Sequence, residues 1–338
     1  MAIEDSNTPR RPTALVTGGA GFIGSHLCEA LLASGHEVYA LDDLSTGSLD
    51  NVEHLRDEKG FHLVVDSVLN EAVVNSLVHR CDRVWHMAAA VGVRLVVEQP
   101  VRTLVTNVQG TEVVLDLCAR FGKRVLVAST SEVYGDHQTL TPLAETERRI
   151  YGPTTVNRWG YAGSKALDEF LALAYHQERD LDVVIARLFN TVGARQTGEY
   201  GMVVPSFVDR ALTGEPLQVH GDGTQTRCFC HVDDVVRALV ALLDEPTAAG
   251  QIFNIGSPNP IGIHELATRI VEQTGSTSAI ELTPYEETYG AGFEDMRHRV
   301  PDTTKITAAI GWEPERNLDD ILTDVIAHQR QRLALSEA

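Results

Sequence analysis

Short apolar runs alternate with longer amphipathic stretches through the first half of the chain. Residues 14–17, 37–41, 62–65, 83–88, 124–128 and 182–187 form the short runs, and 24–34, 70–78, 100–119 and 161–176 carry apolar positions at helical spacing. This alternation predicts parallel βαβ units. Runs such as Val125–Ala128 have no polar alternate position, as expected of a sheet buried on both faces. The expected class is α/β, a doubly wound parallel sheet. After about residue 190 Gly, Pro and polar turns become dense, and the helical stretches shorten to 204–212, 233–243, 263–273 and 318–327. That change of rhythm predicts a smaller C-terminal substrate lobe, with a cleft between it and the sheet.

Composition narrows the partners. Of 338 residues, 43% are hydrophobic and 22% charged, enough for a packed core. With 28 Lys+Arg against 47 Asp+Glu the net charge is −19, which argues against nucleic acid and against an anionic membrane surface. No apolar run reaches the ~18 residues of a membrane span, and the polar start has no signal core. Five Cys without CxxC spacing predict reduced thiols and a cytoplasmic location. The 13 His lack metal-ligand spacing, so no metal is expected, and His231-Val-Asp-Asp reads as a strand end with a helix cap.

Chemistry enters at the first strand–helix junction. Gly18, Gly21 and Gly24 stand three apart, where a glycine turn can bring backbone against a pyrophosphate at a helix N-terminus; Phe22 and Ile23 open that helix. About 20 residues on, the second run ends in Asp42-Asp43, and a carboxylate there accepts the ribose hydroxyls. It would repel a 2′-phosphate and no Arg adjoins it, so NAD is expected rather than NADP. Asp42 is the expected contact with Asp43 beside it; Asp66 either meets the adenine or forms a turn; Ala88, closing the fourth run, lies by the cofactor.

Tyr161 and Lys165 are four apart, on one helix face. A Tyr hydroxyl ordinarily ionises near pH 10, and a neighbouring ammonium favours the phenolate, which would make Tyr161 a base. Thr130, Ser131 and Glu132 follow the fifth strand, at the carboxyl edge where doubly wound sheets bind ligands.

These motifs, with the segments at 187–196, 221–227, 231–234, 253–257 and 299–306, occur in one order. Together they resemble the extended short-chain dehydrogenase/reductases that modify nucleotide sugars. The resemblance implies a Rossmann-like NAD domain over 12–189, with segments around 228–258 returning to it, and a nucleotide-sugar lobe mainly over 190–330. It implies that Thr130 and Tyr161 are catalytic, that Tyr161 takes the proton of the sugar 4-hydroxyl, and that Lys165 holds the nicotinamide ribose and lowers the Tyr161 pKa. Asn190 and Val204 would contact substrate, and Arg227 and Arg299 its diphosphate. Helices 100–119 and 161–176 would pair in a homodimer.

Within the superfamily the chain is most similar to UDP-glucuronate decarboxylases, through its Thr-Ser-Glu-Val-Tyr-Gly-Asp and Gly-Asp-Gly-Thr-Gln-Thr-Arg segments. That branch oxidises carbon 4, loses carbon dioxide from the β-keto acid, and yields UDP-xylose or releases the UDP-4-keto-pentose. Glu132 would serve the later steps with Ser131 against the sugar, and Arg94 or Arg158 would meet the substrate carboxylate. The alternatives are a nucleotide-sugar 4-epimerase and then a 4,6-dehydratase.

Overall fold

The computed structural model describes residues 10–92, 98–137, 141–198, 201–284 and 296–336. Seven strands form one parallel sheet: β1 (Thr13–Thr17), β2 (Glu37–Asp42), β3 (Phe61–Val65), β4 (Arg83–His86), β5 (Arg124–Thr130), β6 (Val183–Leu188) and β11 (Gln251–Ile255). Their spatial order is β11-β6-β5-β4-β1-β2-β3. The chain winds outward from β1 to β3, returns to β4, and winds the other way. The carboxyl ends of β1 and β4 therefore flank a topological switch point, where connections diverge and leave a crevice.

Alternation along the strands explains why the sheet is covered twice. Ala14 and Val16 face one layer and Leu15 the other; Val184 and Ala186 oppose Val183 and Ile185 in the same way. The first layer comprises α1 (Phe22–Ala33), α6 (Val232–Asp244) and the residues around Trp312, with Leu27, Leu31 and Leu239 at its centre. The second comprises α2 (Glu71–Arg80), α3 (Pro100–Phe121) and α4 (Arg158–Arg179). Both clusters are made of buried apolar side chains, and burying each Leu or Val side chain contributes about 1.5–3 kcal/mol.

A third cluster forms the C-terminal lobe. It joins α5 (Val203–Thr213), α7 (Ile263–Thr274) and α9 (Leu318–Ser336) to the paired strands β8 (Leu217–His220) and β13 (Ile280–Thr283). Most expected boundaries lie within a few residues of the observed ones, but two differ consequentially. The fourth strand stops at His86, which leaves Ala88 in the following loop. The last helix runs on past 327 to Ser336, because polar Gln and Arg positions support a helix as well as a loop once its first turns are docked.

Candidate active site

β1 turns upward at Gly18, whose φ of 72° suits glycine and whose N–H donates to the Leu41 carbonyl at 2.7 Å. A Cβ on Gly24 would overlap the Gly18 carbonyl oxygen. α1 then begins at Phe22 with no side-chain cap on Gly21, so its first-turn N–H groups and its dipole face the crevice. This cradle, which any side chain at 24 would fill, fits a dinucleotide pyrophosphate.

The acidic end of β2 completes this half. Asp42 is buried and accepts from Ala20 N at 3.0 Å and Leu44 N at 2.8 Å, bracing the loop; burial pushes its carboxyl above the usual range. Asp43 is exposed and accepts from Ser45 N at 3.0 Å. Asp66 forms a turn, accepting from Ser67 N at 2.7 Å and from Asn70 Nδ2 at 3.1 Å. Ala88 N donates to Thr17 Oγ1 at 3.2 Å and is held beside Gly18. Asp42, Asp43, Asp66, Ala88, Phe22, Ile23 and the three loop glycines all line one cleft of about 1320 Å³.

Thr130, Ser131, Glu132, Tyr161, Lys165, Asn190, Val204, Arg227 and Arg299 line the same cleft. Thr130 ends β5; its Oγ1 caps the following turn by accepting from Glu132 N at 3.2 Å, and its hydroxyl also hydrogen-bonds Tyr161. Arg299 bridges the lobes: Nη1 donates to Glu132 Oε1 at 2.8 Å and Nη2 to Asn190 Oδ1 at 2.7 Å. That pair is charge-assisted and only 7% of Arg299 is exposed, so the carboxylate is fixed in place. Arg227 is likewise buried, and its Nη1 donates to the Thr226 carbonyl at 2.8 Å. Arg94 lies outside the described residues, and Arg158 begins α4 without a described side chain.

Several groups act on the Tyr161 hydroxyl. Burial raises its pKa above the ordinary value, with Glu132 and Asp168 raising it further; the Thr130 hydrogen bond and Arg299 lower it. Lys165 sits one turn on, and its Nζ donates to the buried carboxylate of Asp168, Oδ2, at 2.7 Å. One helical turn places Asp168 against Lys165 as directly as it places Tyr161.

Several positioning groups carry no sequence signal. Asn107 accepts from Ala90 N at 2.8 Å and donates to Ser164 Oγ at 3.2 Å, tying α3 to α4 beneath the cleft. Glu169 is fully buried and bonds Ser129 Oγ at 2.6 Å, Arg149 at 2.6 Å and Arg187 at 2.8 Å; burial works against its charge, but these partners hold its carboxyl below the usual range. Arg102, Arg195, His328 and Arg332 add polar lining. The last two come from the part of α9 beyond 327, past the end expected for that helix.

A glycine cradle at the switch point, with a half-buried Tyr and a clamped Glu across from it, defines a dinucleotide-dependent enzyme acting on a small substrate. The chain belongs to the NAD dependent epimerase/dehydratase family, whose model matches residues 14–256. It is 40% identical over 318 residues to a UDP-N-acetyl-alpha-D-glucosaminuronate decarboxylase of Bacillus cytotoxicus, covering 94% of this chain and 97% of that one. It is 36% identical over 325 residues to UDP-glucuronic acid decarboxylase 1 of Xenopus tropicalis, covering 96% of this chain and 73% of that one. Among solved structures it is similar to UDP-glucuronic acid 4-epimerase from Bacillus cereus in complex with UDP-glucuronic acid and NAD, with TM-score 0.85 and 27% identity over 95% of this chain and 99% of that one. The cofactor is NAD, which agrees with the cradle and with the acidic end of β2. Among the described residues no helix is long and apolar enough to cross a membrane, and no cluster of His, Cys, Asp and Glu could hold a metal.

Proposed function

We propose that the chain is a UDP-glucuronate decarboxylase. The observation that carries the reading is the Glu132–Arg299–Asn190 cluster beside Tyr161, joined to relatives named for decarboxylation of UDP-uronates. NAD, when bound, supplies the hydride acceptor and donor for carbon 4.

Tyr161 takes the proton of the 4-hydroxyl, with Thr130 orienting that hydroxyl and the phenol. The resulting 4-keto group is β to the carboxylate on carbon 5. The carbon–carboxylate bond then breaks, carbon dioxide leaves, and its electron pair becomes an enolate over carbons 4 and 5. Arg299 stabilises that negative charge, and a water organised by the Glu132–Arg299 pair gives its proton to carbon 5. Reprotonation by Tyr161 as carbon 4 is reduced closes the cycle on UDP-xylose. The loop glycines, Asp42, Asp43 and Lys165 hold the cofactor, and Arg227, Asn190, Val204 and Ser131 hold the sugar nucleotide. Arg102, exposed on the cleft wall, joins Arg94 and Arg158 as a cation for the substrate carboxylate.

The reading extends to assembly and location. Val101 is 75% exposed and Phe170 59%, with Leu104 and Leu167 beside them, on the paired helices α3 and α4. An apolar face of this kind on a helix pair suits a second copy of the chain, and we assign a homodimer to it. All five Cys are free and buried, which agrees with a cytoplasmic enzyme.

The test is incubation with NAD and, in turn, UDP-glucuronate, its 2-acetamido counterpart, UDP-glucose and dTDP-glucose, followed by mass spectrometry. Loss of carbon dioxide from a UDP-uronate is expected. An unchanged mass with an inverted stereocentre would replace the decarboxylase with an epimerase, and loss of water with a dehydratase.

A further inference from the structure

Lys165 is not alone at the floor of the cleft. Its Nζ donates to Asp168 Oδ2 at 2.7 Å, and both side chains are buried. Lys165 lines the cleft, whereas Asp168 stands behind it and does not. An ammonium has three donors on a flexible four-carbon stem. A buried carboxylate one turn away takes one donor, fixes the stem, and leaves two for the cleft side.

We propose that Asp168 is a positioning residue that holds Lys165 Nζ at the cleft floor and tempers the help this cation gives Tyr161. The assignment rests on the decarboxylase reading only for the identity of the substrate.

The surroundings support a tuned pair. Burial pushes the Asp168 carboxyl up, Lys165 is the main influence favouring its charge, Thr111 adds to that, and the neighbouring Glu169 opposes it. From β4, His86 faces Lys165; burial first and that ammonium second push its ring down to about 3, so it stays neutral. Its nitrogens lie 2.8 Å from Thr17 Oγ1 and 3.1 Å from Thr111 Oγ1. Two threonine hydroxyls thus occupy both ring nitrogens, and Asp168 is the carboxylate that pairs with Lys165. On its other side Tyr161 meets Glu132 and Arg299. The anion at 168 acts on the phenol in the same sense as Glu132 and against Arg299, because negative charge disfavours a phenolate.

Replacing Asp168 by Asn removes the charge and keeps the shape. In Asp168→Asn, the rise with pH of single-turnover NADH formation from UDP-glucuronate should move about one unit lower. The carbon-13 titration of labelled Tyr in the NAD-bound protein, with the Tyr161 signal identified by its loss in Tyr161→Phe, should move the same way. Asp168→Glu retains the charge but displaces it by a methylene; the pH rise should stay in place while the rate falls about 10-fold. A folded Asp168→Asn protein whose two curves superimpose on the wild type overturns the proposal. Should Asp168→Asn fail to fold, an unaltered rate in Asp168→Glu overturns it equally. Wild-type protein that forms no NADH with any sugar nucleotide refutes the functional reading instead, and the carbon-13 titration still decides Asp168.

Discussion

At the residue scale, two carboxylates, one lining the cleft and one behind it, behave differently because their partners differ. Glu132 is clamped by Arg299 on the cleft wall, whereas Asp168 is turned inward onto Lys165. In the proposed mechanism the clamp serves the chemistry after oxidation, so Glu132→Gln should slow carbon dioxide release at least ~10-fold more than it slows the first NADH formation. Stopped-flow NADH absorbance alongside carbon dioxide trapping measures both, and equal losses would remove Glu132 from the later steps. The Tyr–Lys spacing and the Thr-Ser-Glu triplet were legible in the chain because helix and strand-end geometry is local. The direction of the Tyr161 shift was not, since burial sets it first, with Glu132 adding to it and Arg299, 167 positions from Glu132 in sequence, opposing it.

At the element scale, the switch point does most to build the site. β1 and β4 deliver the glycine loop and the Ala88 loop to one crevice, and β5 delivers Thr130 beside them. The loop has no room for a side chain at 24, so Gly24→Ala should abolish detectable NAD binding by calorimetry and lower the melting temperature. Retained micromolar binding would show that the loop opens more readily than its packing suggests. The strands were readable because both faces of the sheet are buried and the runs are continuously apolar. α9 was readable only in part: its final turns are polar and dock through His328 and Gln329, which line the cleft.

For the whole molecule, the acidic exterior and the cationic interior of the cleft divide the work. A net charge of −19 coexists with buried Arg227 and Arg299 because each buried guanidinium has its own oxygen partners. The apolar strip on α3 and α4 is the surface assigned to self-association. Phe170→Glu should convert a dimer to a monomer in light scattering at micromolar concentration while leaving the fold intact by circular dichroism. Wild-type protein already monomeric under those conditions would leave the strip without that role.

The chain by itself determined what depends on local periodicity and on short motifs: the α/β class, the glycine cradle, the acidic strand end from which NAD was expected, and the Tyr161–Lys165 pair. These are properties of neighbouring residues, fixed by helix and strand repeat. Tertiary structure alone decided which distant charges meet. It set Arg299 against Glu132 and Asn190, and brought His328 and Gln329 of α9 to the cleft. Such pairings depend on how two lobes close over a switch point, and no spacing along the chain encodes that closure.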